Sequence, residues 1–175
     1  MKKLKLEELG RVSAEEFKNT AKLPVVVLLD NIRSLHNVGS VFRVADAFRL
    51  ERIVLTGITG TPPHREIHKT ALGSTDTVEW EYSEDPATAA GELKAAGYRL
   101  VIVEQTNESK RLDEIQFAPD EKWCLVFGNE VNGVSESVVD KADLAIEIPQ
   151  EGTKHSLNVS VCAGIICWEL FRQVR

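Results

Sequence analysis

KHSLNVSVCAGIICWELF, residues 154–171, is the stretch on which the fold turns. Most of it is apolar, and residues 156–174 read as the closing helix. A helix that is apolar on every side is buried on every side. In a chain of 175 residues that predicts a partner subunit covering part of it. Yet this helix is led by Ser156, Asn158 and Ser160, spaced two apart. Ser156 is the expected N-cap. Capping leaves Asn158 and Ser160 unexplained, and buried polar side chains need partners, which a ligand or a facing subunit could supply.

Upstream, apolar runs alternate with helical periodicity. PVVVLLD (24–30), RIVLTG (52–57), YRLVIVEQ (98–105), WCLVFGNE (123–130) and DLAIEIP (143–149) read as strands, and TVEWEY (77–82) as a half-exposed one. Helices are expected over 37–48, 64–72, 86–96 and 135–142, the third stopped by Gly97. Ser13 and Glu16 form a capping-box pattern for a short N-terminal helix. Strand and helix in turn predict an α/β fold: a mostly parallel sheet with helices on both faces. The chain reads as one domain, 1–175, in which 1–22 is a short basic N-terminal segment.

Composition sets limits. No apolar run reaches bilayer length, and MKKLKLEELG lacks the apolar core of a secretory signal. Cys124, Cys162 and Cys167 lie in apolar runs without a C-x-x-C spacing, so reduced core thiols and a cytoplasmic location are expected. The net charge is −6, but it is unevenly placed. Residues 1–70 hold twelve Lys and Arg against eight acids, and residues 76–121 hold four against twelve. A local basic face can hold phosphates on an acidic protein, because charge is screened over about 10 Å. His64 and His68 stand four apart, but a third ligand is missing and no metal is expected. No aromatic platform for stacking bases is visible.

In open α/β sheets, ligands collect beyond the carboxyl ends of the strands. Three polar clusters fall there. DNIRSLHNVGSVFR follows the first strand, with Asn37 as a plausible N-cap and Gly39 allowing a close approach to the first turn. The ordinary alternative is a capped helix whose Arg43 pairs with Asp46. FGNEVNGV lies at the end of the 123–130 strand; with Val134 where a P-loop needs Lys, it is a tight loop whose backbone can face a ligand. IPQEGTKHSLNVS follows the last strand.

In this order the clusters resemble the SpoU/TrmH family of RNA ribose 2′-O-methyltransferases, within the SPOUT superfamily. N-x-G-x-x-x-R is Asn37, Gly39 and Arg43; G-x-E-x-x-G is Gly128, Glu130 and Gly133; S-L-N-V-S-x-C-x-G runs from Ser156 to Gly164. The resemblance spans roughly residues 24–172. It implies a C-terminal trefoil knot, a homodimer with the closing helix at its interface, and S-adenosylmethionine held in the knot loops. Backbone around Gly128, Ile148 and Leu157 would hold the adenosine, with Glu104 and Gln105 beside it and Phe127, Asn129, Gly133 and Ser156 in the same wall. Glu130, Ser156 and Asn158 would shape the catalytic site. Arg43 is the residue assigned to the ribose 2′-hydroxyl, and Asn37 would orient Arg43 or the RNA backbone, across the dimer or within it. A protonated guanidinium is a poor base, so proton acceptor and electrostatic group both stay open for Arg43.

RNA, from tRNA or rRNA, would approach over Arg33, His36, Arg65, Lys69 and Lys154. With about 22 residues before the first strand, recognition is expected to rest on the catalytic dimer and this short basic segment. The rival readings are a knotted RNA-binding protein without catalysis, a small-molecule nucleotide binder and a base methyltransferase. The first would need a broken motif, the second a phosphate loop; the S-L-N-V-S segment and Arg43 point away from the third.

Overall fold

The computed structural model describes residues 1–175, the side chain of Leu6 excepted. Seven strands form one sheet: β1 (Leu23–Asp30), β2 (Leu50–Thr56), β3 (Glu79–Ser83), β4 (Tyr98–Val103), β5 (Lys110–Arg111), β6 (Lys122–Phe127) and β7 (Leu144–Glu147). Their order is β3-β2-β1-β6-β4-β7-β5, and the paired strands run parallel. The β-branched runs read from sequence become the central strands, buried on both faces as parallel strands are. Only the two-residue β5 was not anticipated.

Side chains alternate across the sheet. Val25, Val27 and Leu29 point with Trp123, Leu125 and Phe127 into one core, whereas Val26 and Leu28 point with Cys124 and Val126 into the other. Helices α2 (Leu35–Ala47), α3 (Arg65–Ala71) and α6 (Val159–Val174) cover the first face; α4 (Pro86–Ala95) and α5 (Glu136–Val139) cover the second. A short α1 (Ala14–Asn19) precedes the sheet, with the Ser13–Glu16 capping box formed.

Two expected caps move. Ser34, not Asn37, caps α2 and accepts from the Asn37 N–H at 3.3 Å. Asn158, not Ser156, caps α6, accepting from the Ser160 N–H at 2.9 Å and its hydroxyl at 2.6 Å. Both segments string several capping-competent residues together, so composition cannot choose among them. Ser160 is thereby satisfied inside the cap and needs neither ligand nor partner. Gly39 does permit a close approach, and the group that approaches is α3: a Cβ would collide with the Ile67 carbonyl and the Thr70 hydroxyl.

The closing helix is covered by its own chain along one side only. Ala163, Ile166, Cys167 and Leu170 are buried, but Val161, Ile165 and Trp168, one stripe at i, i+4 and i+7, lie exposed within the single chain.

Candidate active site

Strand β1 leads to β2 and β3 on one side, while β6 continues to β7 on the other, so the chain changes direction between β1 and β6. Ligand sites favour such switch points. Beyond β4, β6 and β7 lies a cavity of about 400 Å³. All nine residues expected to hold a cofactor line it: Glu104, Gln105, Phe127, Gly128, Asn129, Gly133, Ile148, Ser156 and Leu157. Glu130 and Asn158 line it too.

The loop after β6 is shaped by its glycines. A Cβ on Gly128 would strike the backbone of Gly133 and Val134, and one on Gly133, at φ 71°, would strike the Glu104 carboxylate. Only glycine permits this closure. Asn129 and Gly133 exchange backbone hydrogen bonds of 2.9 Å. The Asn129 side chain accepts from the N–H groups of Val131 and Asn132 and donates to the Asn31 carbonyl at 2.6 Å. Asn129 therefore lines the cavity chiefly as the brace of its own loop. Glu104 accepts from the Val134 N–H at 3.0 Å, tying β4 to this loop, and Gln105 donates to the His155 carbonyl at 3.1 Å, tying it to the loop before α6.

Glu130 closes the switch point. Its carboxylate accepts from the Arg33 N–H at 2.9 Å, the Ser34 N–H at 3.0 Å and the Asn37 amide at 3.0 Å. Partial burial pushes its pKa up, but the backbone N–H groups of Arg33, Glu130 and Ser34 and the Asn37 amide outweigh it and hold the carboxyl below the ordinary range. These contacts clamp the Arg33–Asn37 segment to the cavity loop. Asn37 in turn accepts from the Asn158 amide at 3.1 Å. One chain of hydrogen bonds, Glu130–Asn37–Asn158, thus joins the three sequence clusters. The Ser156 hydroxyl makes no hydrogen bond among the described residues and lines the cavity.

Other expected residues fall elsewhere. Asn37 is buried behind the wall, and Arg43 is not on the lining: it lies exposed on α2 without an acidic partner among the described residues. The Arg43–Asp46 pair does not form, since Asp46 accepts the Thr77 hydroxyl at 2.6 Å. His36 and Lys69 both contact Glu66, at 2.8 and 2.7 Å, while Arg33, Arg65 and Lys154 stay exposed. His64 is the N-cap of α3, accepting from the Glu66 N–H at 3.2 Å.

Sequence reading missed Val131, Glu147, Gln150 and Cys162, which also line the cavity. Gln150 and Glu147 sit beside recognised motif residues, a signal that could have found them. Burial pushes the Cys162 thiol up, so it faces the cavity as a neutral group.

A family model described as the SpoU rRNA Methylase family matches residues 24–168. The chain belongs to the SpoU family. It is 34% identical over 149 residues to the 23S rRNA (guanosine-2'-O-)-methyltransferase RlmB of Nitrosomonas europaea, a match covering 85% of this chain and 56% of that protein. The chain thus spans little more than half of that SpoU relative. In structure it is similar to the A. aeolicus TrmH/SpoU tRNA modifying enzyme, with a TM-score of 0.80, 29% identity and coverage of 91% of this chain and 81% of the other. The AdoMet-bound rRNA methyltransferase of Sinorhizobium meliloti matches with a TM-score of 0.80 and 25% identity, over 91% of this chain and 60% of that one.

Proposed function

We propose that this SpoU-family chain is an S-adenosylmethionine-dependent RNA methyltransferase acting on a ribose 2′-hydroxyl of tRNA or rRNA. The observation that carries the reading is the meeting of three separate motif loops around one cavity at the switch point, linked through Glu130, Asn37 and Asn158. The cavity fits the cofactor in kind. About 400 Å³ is within the usual range for ligand sites. Its wall mixes apolar Val103, Phe127, Ile146 and Leu157 with backbone groups and the unpartnered Ser156 hydroxyl.

S-adenosylmethionine supplies an already activated methyl group, so the protein's contribution is placement. Gly128 and Gly133 bring the backbone close to the ligand. Glu130 fixes the Arg33–Asn37 segment against the cavity loop, and the apolar wall keeps water off. Arg43 stabilises the negative charge that develops on the ribose oxygen as the hydroxyl proton passes to solvent. No metal ion is needed in this reading.

We further propose a homodimer. The exposed stripe of Val161, Ile165 and Trp168 borders α2, where Phe48 packs on Trp168 with ring centres 6.0 Å apart. A second copy on this stripe would bring the two α2 helices together. It would also carry Arg43, which does not line the cavity of its own chain, to the cavity of the partner. A trefoil knot is supported by the topology: β7 lies between β4 and β5, so the 104–109 connection must cross the end of β7 before the chain reaches α6. Unpaired Cys124, Cys162 and Cys167 suit the reducing cytoplasm.

The test is methyl transfer from labelled S-adenosylmethionine to unmodified tRNA and rRNA, followed by nucleoside analysis. Label in 2′-O-methyl nucleosides, lost in Arg43→Ala, is expected. A protein that binds neither S-adenosylmethionine nor RNA contradicts the reading. One that binds RNA without transferring methyl from the bound cofactor to any RNA favours a non-catalytic role.

A further inference from the structure

On the far side of the switch point, beyond β1, β2 and β3, two apolar side chains stand in solvent. Tyr82 is 49% exposed and Ile58 is 66% exposed. Neither is loosely held. The Tyr82 hydroxyl donates to the Gly57 carbonyl at 2.9 Å, which satisfies its polar end and fixes the ring. The Ile58 N–H donates to the Asn31 side chain at 3.0 Å, and the Ile32 N–H donates to the Thr59 hydroxyl at 2.9 Å. These bonds clamp the 57–59 turn to the segment that leads into Arg33, whose own N–H is held by Glu130.

Tyr82, Ile58 and Arg33 therefore follow one another along the carboxyl edge of the sheet toward the cavity. Tyr82 pairs with Leu55 in register, and β3 is three strands from β6. At about 4.8 Å per strand the ledge begins roughly 14 Å from the cavity loop. Arg33, between Tyr82 and the cavity, and Arg65, just past the same loop, are exposed and carry no acidic partner among the described residues. Of the two acids that follow Tyr82, Asp85 is engaged in capping α4 through Thr88, at 2.8 and 2.6 Å. A ring of fixed orientation two strands from an unpaired cation can take a nucleic-acid base on its face while a phosphate meets the charge.

We propose that Tyr82 and Ile58 form a stacking ledge for an unpaired base of the substrate RNA, a few nucleotides from the one that reacts. This rests on the RNA methyltransferase reading and deepens it: the target strand is single-stranded or looped where it crosses this edge, because a base within a duplex cannot lie on the ring. Arg33 holds the phosphate between ledge and cavity.

The test compares binding of a twelve-nucleotide single-stranded RNA and of its duplex, by fluorescence anisotropy across a salt series, with S-adenosylmethionine binding measured on the same proteins. Tyr82→Ala and Ile58→Ser are surface changes. Tyr82→Ala should weaken the single strand about tenfold, with the salt slope and the duplex affinity unchanged. Arg33→Ala should instead reduce the salt slope by about one. Cofactor binding should stay at the wild-type level in all three. Equal losses on both RNAs, no loss in Tyr82→Ala, or a wild type that prefers duplex or binds neither RNA overturns the ledge. Failure of the wild type to bind S-adenosylmethionine overturns the methyltransferase reading instead.

Discussion

The cavity beyond β4, β6 and β7 and the outer face of α2 and α6 are both built from recognised motifs, yet they differ in completeness. In the cavity wall, Glu104, Asn129 and Glu130 are engaged within the chain, and the glycines leave no slack. On the outer face, Arg43 is unpaired among the described residues, and Trp168 is half exposed beside Val161 and Ile165. A site that holds a small ligand can be finished by one chain. A face that leaves a motif arginine and an apolar stripe in solvent is finished by something else, and a second copy is the proposed occupant.

The largest effect should come from the unfinished face. Arg43→Ala should lower methyl transfer by roughly 10²- to 10³-fold, the range for losing a group that stabilises transition-state charge. Calorimetry should find S-adenosylmethionine affinity unchanged, because the arginine is off the cavity wall. A matching loss of cofactor affinity would dissolve the distinction between the two regions.

Gly128→Ala should act the other way. The added Cβ meets the Gly133 backbone, and the loop has to move. Displacement of a positioning loop by about 1 Å costs on the order of 10²-fold. The loss should appear in cofactor affinity, with the dimer intact by sedimentation.

Trp168→Glu should turn the proposed dimer into a monomer in analytical ultracentrifugation, since a charge would be buried without a partner. Methyl transfer should fall while the single-chain cavity still binds S-adenosylmethionine. A monomeric wild type would refute the two-copy account.

The smallest effect concerns acid stability. The folded pKa of Glu130 lies below the ordinary carboxylate value, so its contribution is full above that value and fades as pH falls through the folded pKa. Glu130→Gln should therefore lower the melting temperature near neutral pH and make no difference at strongly acidic pH, as read by a thermal melt at several pH values.

Much of this was legible in the residues. β-branched runs bounded by turns placed six of the seven strands, because parallel strands buried on both faces need little else. The cavity residues were legible because tight loops at strand ends demand glycine and polar caps in recognisable order. What could not be read was which of several adjacent Ser and Asn residues caps a helix, since Ser34 and Asn37, or Ser156 and Asn158, are equivalent by type. Asn37 was thereby freed to bridge Glu130 and Asn158. Tyr82 escaped notice because alternation marks a half-exposed strand without saying which side chain its neighbours leave bare.

In the proposed dimer the reactive site combines the cavity of one copy with Arg43 of another. Mixing Arg43→Ala with Gly128→Ala, each nearly inactive alone, tests it most directly. After subunit exchange, some dimers hold an intact cavity facing an intact arginine. Methyl transfer that returns on mixing is the predicted result. Two folded, dimeric variants that remain as inactive together as apart would show that cavity and arginine must belong to the same chain, and would contradict it.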